Sequence, residues 1–315
     1  ITGMRLTLSH GGLDENGYLL EAFQNVAKTM GIAPELLLDL QGPELRVGNM
    51  SNSLCLKRGE KVSLVSAEAP VGDGEIPLPS PLFRELREGD ALLLDDGRIL
   101  LKASREGTGW KGTILRGGTL LPHKSVALEG REIPSPALTE QDRVNLSLAY
   151  RWGVTGVMQP FVRKPEDLLE LRRALQEAGV GQARIFAKIE SRSGMDRLKE
   201  LLPFADEIVI ARGDLGNSIP FWELPAAQKE IAEICRKAQK PFMVVTQLLA
   251  SMEQNAVPTR AEVSDIFNAV LDGASSLMVT GETAVGKYPE LVSRYLVKTG
   301  EEARRFVAEK QGGTW

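Results

Sequence analysis

The sequence predicts an α/β protein: a (β/α)8 TIM-type barrel with a small all-β domain inserted into it. Two observations predict this class. After position 138, short apolar runs alternate with longer amphipathic segments, whereas between about positions 46 and 134 the pattern changes to short β-like runs separated by glycine and proline. Alternation of strand-like and helix-like segments is typical of parallel strands that are joined by helices.

Seven strand candidates belong to the barrel. Two of them, MRLTLS and LLLDLQ, bracket a helical segment around YLLEAFQNVAKTMG, and the other five follow the inserted region: VTGVMQPFV, ARIFAKIE, DEIVIAR, PFMVVTQ and SSLMVTG. A closed barrel of this type needs eight strands, so a first strand is expected upstream of Ile1. An open, doubly wound sheet is the competing architecture, and we favour the barrel.

The helices of the barrel carry boundary signals in the local sequence. Thr139 and Thr259 each precede an acidic residue three positions on, which is the arrangement of a capping box. Pro165 is placed to open a helix, and Gly153, Gly179 and Gly273 are placed to close helices. These residues predict where the helices begin and end.

The inserted domain is predicted to span residues 46–134, which leaves residues 1–45 and 135–315 to a catalytic barrel. Its strand candidates are KVSLVSA, DALLLDDGRILLKAS and WKGTIL. In an enzyme, a domain of this kind can act as a lid that excludes water from the site.

Composition excludes several classes of protein. The chain of 315 residues is 43% hydrophobic and 25% charged, which is unlike a disordered chain, and its net charge of −4 argues against nucleic acid as the main partner. No apolar run approaches the roughly 18 residues of a membrane span, and the start lacks the pattern of a signal peptide. Cys55 and Cys235 are expected to be reduced thiols. We therefore predict a cytoplasmic protein without a membrane partner.

A ring of polar side chains follows the strand candidates, where the chemistry of such barrels is found. Its members, in chain order, are Arg5, Thr7, Ser9, Asp39, Phe161, Arg163, Lys188, Glu190, Arg212, Asp214, Thr246, Gln247, Thr280 and Glu282. Lys188 and Glu190 lie two apart on a strand and so point to the same face. Glu190 and Asp214 follow consecutive strands, and two carboxylates suit Mg²⁺. Ion pairs with Lys188 and Arg212 are the structural alternative.

The same ring offers groups that bind anions. The segment RGDLGNSIP places glycines around Asp214, so backbone N–H groups can approach an anion there. Arg5 and Lys188 could cover phosphate oxygens, and Thr246 offers a hydroxyl group. The two histidines of the chain lack the spacing of metal ligands. Phosphate-binding groups and a metal site are thus predicted at one end of the barrel.

These motifs, in their order along the chain, resemble the pyruvate kinase family. The matching segments cover nearly the whole chain and are MRLTLSHG, DLQGPELRVG, DDGRILL, KIES, ARGDLG, TQLLASM, PTRAEVSDIFNAVLDGA and MVTGETAVGKYP. The family folds as a (β/α)8 barrel with an inserted β domain, usually followed by a C-terminal α/β domain, which we do not expect within these 315 residues. Its activity is phosphoryl transfer from phosphoenolpyruvate to ADP, giving pyruvate and ATP, with Mg²⁺ (or Mn²⁺) and commonly K⁺.

The resemblance implies roles for the residues of the ring. Lys188 would lie over the transferring phosphoryl group and the developing enolate, Arg5 would contact the phosphate, and Thr280 would line the site. The Thr246 hydroxyl would hold the substrate carboxylate. It would do so together with the backbone N–H groups of Gly213 and Asp214.

The resemblance also implies sites for metals and for the nucleotide. Glu190 and Asp214 would hold Mg²⁺. The K⁺ ligands would come from Thr7, Ser9, Asp39 and the backbone carbonyl group of Leu40. Residues expected to contact the nucleotide are His10, Arg46 and Lys124.

Several departures from the family pattern bear on these ligands. Thr7 stands where the family's K⁺ site has an asparagine, although Glu44 matches the K⁺-dependent form. In the inserted domain SVALEG replaces GVNLPG, Pro160 replaces a serine, and the strand with TIGP that helps contact the nucleotide is missing. The sequence therefore supports phosphoenolpyruvate binding better than ADP binding.

Two other functions stay open. A Mg²⁺-dependent lyase or aldolase acting on pyruvate-type enolates would use the same metal and carboxylate sites and would turn over without nucleotide. A binding module that keeps the metal and enolate site while regulating or scaffolding would show no turnover. The partners expected of a kinase are phosphoenolpyruvate or pyruvate and ADP or ATP, and a homo-oligomer is also open.

Overall fold

The computed structural model describes residues 1–9 and 11–312, with the side chains described as far as residue 310. Its strands are β1 (Gly3–Thr7), β2 (Glu35–Asp39), β3 (Leu54–Leu56), β4 (Lys61–Ser66), β5 (Glu75–Leu78), β6 (Ala91–Leu94), β7 (Ile99–Glu106), β8 (Gly109–Arg116), β9 (Gly118–Leu120), β10 (Val126–Leu128), β11 (Gly156–Gln159), β12 (Arg184–Ile189), β13 (Glu207–Ala211), β14 (Phe242–Val245) and β15 (Ser276–Met278). The α-helices are α1 (Gly17–Met30), α2 (Ser80–Glu85), α3 (Glu140–Ser147), α4 (Ala149–Trp152), α5 (Pro165–Glu177), α6 (Arg192–Asp196), α7 (Leu198–Leu201), α8 (Arg212–Ser218), α9 (Leu224–Lys237), α10 (Arg260–Leu271), α11 (Gly281–Ala284) and α12 (Pro289–Gly312). Short 3₁₀ helices cover Leu202–Phe204, Phe221–Glu223 and Ala250–Glu253.

The chain divides into two compact units. The first contains Ile1–Gly42, Ala137–Leu215 and the chain from Trp222, and the second contains Pro43–Pro136 and Gly216–Phe221. None of the helices in the described part of the chain is both long and apolar enough to cross a membrane.

The first unit is built on a parallel sheet whose strand order follows the chain. Its seven strands lie in the order β1-β2-β11-β12-β13-β14-β15, and each neighbouring pair is parallel. A doubly wound sheet reverses its strand order at a switch point, whereas a barrel adds each strand beside the previous one. The order confirms the barrel class, and the seven strands are the seven that the sequence predicted.

The sheet curls around an apolar interior to which neighbouring strands each contribute side chains. This cluster consists of Leu37, Met158, Phe186, Val209, Ala211, Met243 and Val245. Gly156 makes room for it, since a Cβ atom there would lie 2.7 Å from atoms of both Leu37 and Phe186. The interior is therefore a packed core, and in barrels of this type ligands bind at the carboxyl ends of the strands.

The predicted helix boundaries are confirmed. Thr139 and Thr259 cap α3 and α10 with complete capping boxes, in which the Thr139 side chain accepts a hydrogen bond from the Asp142 N–H group. Pro165 is the first residue of α5. Gly153 ends α4 in the left-handed conformation with φ of 66°. These signals act through groups within one helical turn, so they are visible in the local sequence.

The second unit holds a six-stranded sheet in the order β10-β6-β7-β8-β4-β5 and a two-stranded sheet of β3 and β9. The hairpin between β6 and β7 turns through Asp95, Asp96 and Gly97, with φ values of 50°, 53° and 76°. Aspartate and glycine tolerate the left-handed region that such turns require. Besides its strands, this unit contains the short helix α2, which the all-β description of the insertion did not include.

Candidate active site

The predicted site residues of the barrel unit lie on or just beyond the carboxyl ends of its strands. Thr7 and Asp39 are the last residues of β1 and β2 and stand opposite each other in the sheet. Lys188 is the penultimate residue of β12, and Glu190 directly follows that strand. Arg5 is the exception because it lies in the middle of β1, from where its long side chain reaches Asp39.

Lys188 lies at the centre of the site. Its Nζ atom is 3.2 Å from Oδ1 of Asp39 and 3.0 Å from Oε1 of Glu190, and its side chain is 14% exposed. Burial by itself lowers the pKa of an ammonium group, but the carboxylates of Asp39, Glu190 and Asp214 together raise the pKa of Lys188 above its usual value. Lys188 therefore stays positively charged, and the expected approach of Lys188 to Glu190 is observed.

Asp39 joins Lys188 to Arg5. Nε and Nη2 of Arg5 donate to Oδ2 of Asp39 at 2.9 and 2.5 Å. Burial opposes the charge on Asp39, yet Lys188 and Arg5 hold the pKa of this carboxyl group below its ordinary value. Two cations thus face one shared carboxylate.

Glu190 has one satisfied and one unsatisfied carboxylate oxygen. Oε2 accepts a hydrogen bond of 2.7 Å from the backbone N–H group of Phe161, a residue with a φ of 52°. Oε1 is buried and has no hydrogen-bond partner, although the Lys188 ammonium forms an ion pair with it. A buried carboxylate oxygen without a donor is a suitable cation ligand.

The donor set fits a magnesium ion. Glu190 follows β12, and Asp214 lies in the first turn of α8, directly after β13; both carboxylates act on the pKa of Lys188. Within residues 1–9 and 11–312, no group of three or more His, Cys, Asp or Glu side chains could hold a metal ion by itself. Mg²⁺ binds proteins through one or two carboxylates and takes its remaining oxygens from water and substrate, so these two carboxylates are of the kind the ion uses and their pairing on it stays a prediction.

The backbone is unusual where β14 ends. Thr246 and Gln247 both have positive φ, at 81° and 55°. The Thr246 side chain packs against Gly213, where a Cβ atom would lie 3.3 Å from Cγ2 and 3.7 Å from Oγ1 of Thr246. The structure therefore brings together the hydroxyl and one of the backbone groups that were predicted to hold a carboxylate.

Thr280 is placed by a buried glutamate. Its backbone N–H group donates to Oε2 of Glu282 at 2.7 Å, and the N–H group of Leu249 donates to Oε1 of the same residue at 3.1 Å. Glu282 is 1% exposed. It ties the loop after β14 to the loop after β15, a role that its place in the polar ring did not reveal.

The predicted K⁺ ligands lie at the adjoining ends of β1 and β2. The N–H group of Ser9 donates to Oγ1 of Thr7 at 3.5 Å, and the N–H group of Leu40 donates to the Met158 carbonyl at 3.1 Å. The Asp39 carboxylate contacts Arg5 and Lys188, as described above. These contacts are all between protein groups, so the K⁺ site stays a prediction.

The predicted nucleotide contacts divide between a described and an undescribed part of the chain. His10 lies outside the described residues. In the second unit, Nη2 of Arg46 pairs with Glu44 at 2.7 Å, and Nζ of Lys124 pairs with Oδ1 of Asp95 at 2.8 Å. Their role towards a nucleotide stays a prediction.

Contacts from outside the ring support it, and the strand-end pattern of the sequence does not indicate them. Arg212 forms an ion pair with Asp265 of α10 at 2.6 Å. Asp265 lies within the motif PTRAEVSDIFNAVLDGA, but it is on a helix and not at a strand end, so it is not a member of the polar ring. Only the motif itself marked this residue.

Comparison with known proteins agrees with this geometry. The family model described as pyruvate kinase, barrel domain, matches residues 2–292. The chain is 39% identical to a pyruvate kinase of Aeropyrum pernix, over 96% of this chain and 66% of that protein. It is 36% identical to one of Clostridium acetobutylicum, over 98% and 67%, and 38% identical to one of Geobacillus stearothermophilus, over 90% and 49%. The chain thus spans about half to two thirds of the length of these curated relatives.

Proposed function

We propose, from the premise that this chain belongs to the pyruvate kinase family, that it transfers the phosphoryl group of phosphoenolpyruvate to ADP, giving pyruvate and ATP. The observation that carries the proposal is the charged Lys188, held among three carboxylates at the mouth of the barrel. Phosphoryl transfer depends mainly on positioning and on stabilisation of negative charge, and a fixed ammonium group supplies both.

Lys188 and Arg5 supply the positive charge of the site. Lys188 stabilises the charge that develops on the transferring phosphoryl group and on the enolate oxygen of the departing pyruvate. Arg5 binds the phosphate, since its guanidinium fork matches phosphate oxygens. Asp39 holds both cations in place before substrate arrives, so little reorganisation is required during the reaction.

A second group of residues orients the substrate carboxylate. The Thr246 hydroxyl, packed against Gly213, and the N–H groups of Gly213 and Asp214 form a cradle for this anion. Thr280 lines the cradle, with its backbone fixed by Glu282. Fixing the carboxylate aligns the phosphoryl group with its acceptor.

Glu190 and Asp214 are the residues that would hold Mg²⁺ or Mn²⁺. The buried Oε1 atom of Glu190, which forms an ion pair with Lys188 but accepts no well-aligned hydrogen bond from the described residues, supports this assignment. When bound there, the ion would supply positive charge that offsets the negative charge on the phosphoryl and enolate oxygens.

The remaining ligands follow from the family. K⁺ activation would use Thr7, Ser9, Asp39 and the Leu40 carbonyl group, and nucleotide binding would use His10, Arg46 and Lys124. The predicted cytoplasmic location and a homo-oligomer belong to the proposal and are open to test.

The direct test measures ATP and pyruvate formed from phosphoenolpyruvate and ADP, with Mg²⁺, with and without K⁺. A reaction without nucleotide separates a kinase from a lyase or aldolase. Lys188→Met should lower kcat at least about 10²- to 10³-fold, as the loss of a charge-stabilising donor does. Lys237→Met is the matched control, because Lys237 is an exposed lysine paired only with its helical neighbour Glu233 among the ion pairs described.

Three outcomes would speak against the proposal. Lys188→Met activity within a few-fold of the unsubstituted protein would remove Lys188 from the reaction. Pyruvate chemistry without nucleotide would favour the lyase or aldolase. Mg²⁺-dependent binding of phosphoenolpyruvate or oxalate without any turnover would favour the binding module.

A further inference from the structure

We infer that Arg212 and Asp265 are positioning residues that hold Thr246 in its functional conformation. This inference rests on the proposed function, in which the Thr246 hydroxyl binds the substrate carboxylate. Neither residue need touch the substrate for this role. Asp265 fixes Arg212, and Arg212 fixes the backbone of Thr246.

Thr246 requires such support because its own backbone is unfavourable. Its φ of 81° lies in the left-handed region, and a β-branched residue is a genuine outlier there. Strain of this kind persists only where surrounding contacts impose it. Gln247 continues the left-handed stretch with φ of 55°. Without an external contact, this segment would relax towards an ordinary conformation.

The Arg212 guanidinium provides the contact. Its Nε and Nη2 atoms donate to the carbonyl oxygen of Thr246 at 3.1 and 2.6 Å, and its Nη1 atom donates to Oδ2 of Asp265 at 2.6 Å. All three donors lie in one plane, so the position of Asp265 sets the direction in which the other two point. The Arg212 side chain is 13% exposed, so water competes little for these bonds.

Asp265 is itself rigidly placed. It lies in the middle of α10, next to Ile266, which is fully buried. The helix begins with a complete capping box at Thr259. A carboxylate on such a helix is a fixed point against which the loop after β14 can be held.

One residue thereby joins both halves of the carboxylate cradle. Arg212 immediately precedes Gly213, and the Thr246 side chain packs on Gly213. A shift of Arg212 would move the Thr246 hydroxyl relative to the Gly213 backbone. The distance between these donors determines whether both can bind the same substrate carboxylate. We therefore expect Asp265 to affect catalysis without contact with the substrate.

The first test compares Asp265→Ala with Asp272→Ala. Asp272 directly follows the same helix and pairs with Lys229 at 2.5 Å, so it matches Asp265 in type of contact but belongs to no part of the proposed site. Asp265→Ala should lower kcat/KM for phosphoenolpyruvate about 10- to 100-fold, the range that small misplacements produce. Asp272→Ala should stay within about twofold.

A double-mutant cycle separates positioning from general structural support. In the Thr246→Ala background there is no hydroxyl to misplace, so Asp265→Ala should cause no further loss. An equal loss in both backgrounds would overturn the inference. Arg212→Lys is the second variant, since it keeps the charge but not the planar fork. It should lower kcat/KM as Asp265→Ala does, and it takes the place of Asp265→Ala in the cycle if Asp265→Ala does not fold.

A measurement that needs no turnover keeps this inference distinct from the proposed function. In threonine-methyl NMR spectra, Asp265→Ala and Arg212→Lys should shift or broaden the Thr246 methyl resonance, and Asp272→Ala should not. If the resonance shifts in a protein that makes no ATP, the absence of ATP refutes the kinase proposal, and the shift supports the positioning of Thr246 by Arg212 and Asp265. An unchanged resonance, together with unchanged kcat/KM in an active protein, would refute the positioning of Thr246 by Arg212 and Asp265 and leave the kinase proposal standing.

Discussion

Replacement of Asp39 by asparagine would disturb the charge network at the centre of the site. Asp39 is 2% exposed and accepts hydrogen bonds from Arg5 and Lys188. Asparagine keeps the size and one acceptor oxygen but carries no charge. Of the three carboxylates that act on Lys188, Glu190 and Asp214 would remain.

The expected loss of stability follows from this geometry. Removal of one partner from a buried ion pair costs about 3–5 kcal/mol. The Arg5 and Lys188 side chains are 22% and 14% exposed, so water solvates each of them in part. Since asparagine also keeps one acceptor, we expect Asp39→Asn to lose about 2–4 kcal/mol of unfolding free energy. At about 2 °C per kcal/mol for a chain of this size, the melting temperature falls by about 4–8 °C.

The loss should depend on pH in a defined way. Because the pKa of Asp39 is lowered in the folded protein, its charge contributes stability above the ordinary aspartate pKa of about 3.9, and that contribution fades as pH falls through the lower folded value. The stability gap between the unsubstituted protein and Asp39→Asn should therefore be the same at pH 7, 6 and 5.

Urea denaturation followed by circular dichroism measures the gap. Glu200→Gln is the control, because it breaks an exposed ion pair with Arg197, and it should leave the midpoint unchanged. A loss for Asp39→Asn no larger than that of the control would refute the network. So would a gap that already closes between pH 7 and pH 5, since that would mean a raised pKa.

Three further predictions concern thiols, packing and capping. Cys55 is exposed and should react rapidly with a thiol reagent at pH 8. Burial raises the pKa of the Cys235 thiol to about 12, so this thiol should react only on unfolding. Equal reaction rates of the two thiols would contradict this prediction. Gly156→Ala forces a methyl group into the barrel interior and should destabilise the fold by about 1–3 kcal/mol, whereas Gly300→Ala, in a helix with open space around it, should stabilise it by about 0.5–1 kcal/mol in urea denaturation. Thr259→Ala removes the cap of α10 and should cost about 1 kcal/mol, with Thr259→Ser as the variant that retains most of it.

The elements of the barrel could be predicted because their signals are local. The seven strands coincide with seven apolar runs, and Thr139, Pro165 and Gly153 mark helix ends as expected. A cap or a strand face depends on residues within a few positions of each other. The choice between a barrel and a doubly wound sheet was different, because both produce the same alternation along the chain. The order of strands in space decided it.

The residues of the site could be selected from the sequence for a similar reason. Lys188 and Glu190 lie two apart on one strand, so the pleat alone directs both to one face, and they form an ion pair at 3.0 Å. The resemblance added roles, and the family match at residues 2–292 supports it. That Lys188 and Arg5 share the Asp39 carboxylate, and that Arg212 pairs with Asp265, was not apparent from the sequence.

The amino-acid sequence by itself determined the seven strands of the barrel and their order along the chain, several helix ends, the family and the polar ring at the strand ends, because short periodic patterns and motifs encode them. Only the tertiary structure decided the pairing within that ring. Asp39 lies 149 residues before Lys188, and Asp265 lies 53 residues after Arg212, yet each is in hydrogen-bond contact with its partner. Contacts between such distant residues depend on how the sheet curls and on the register of its strands, and these are properties of the whole packed unit that no local segment contains.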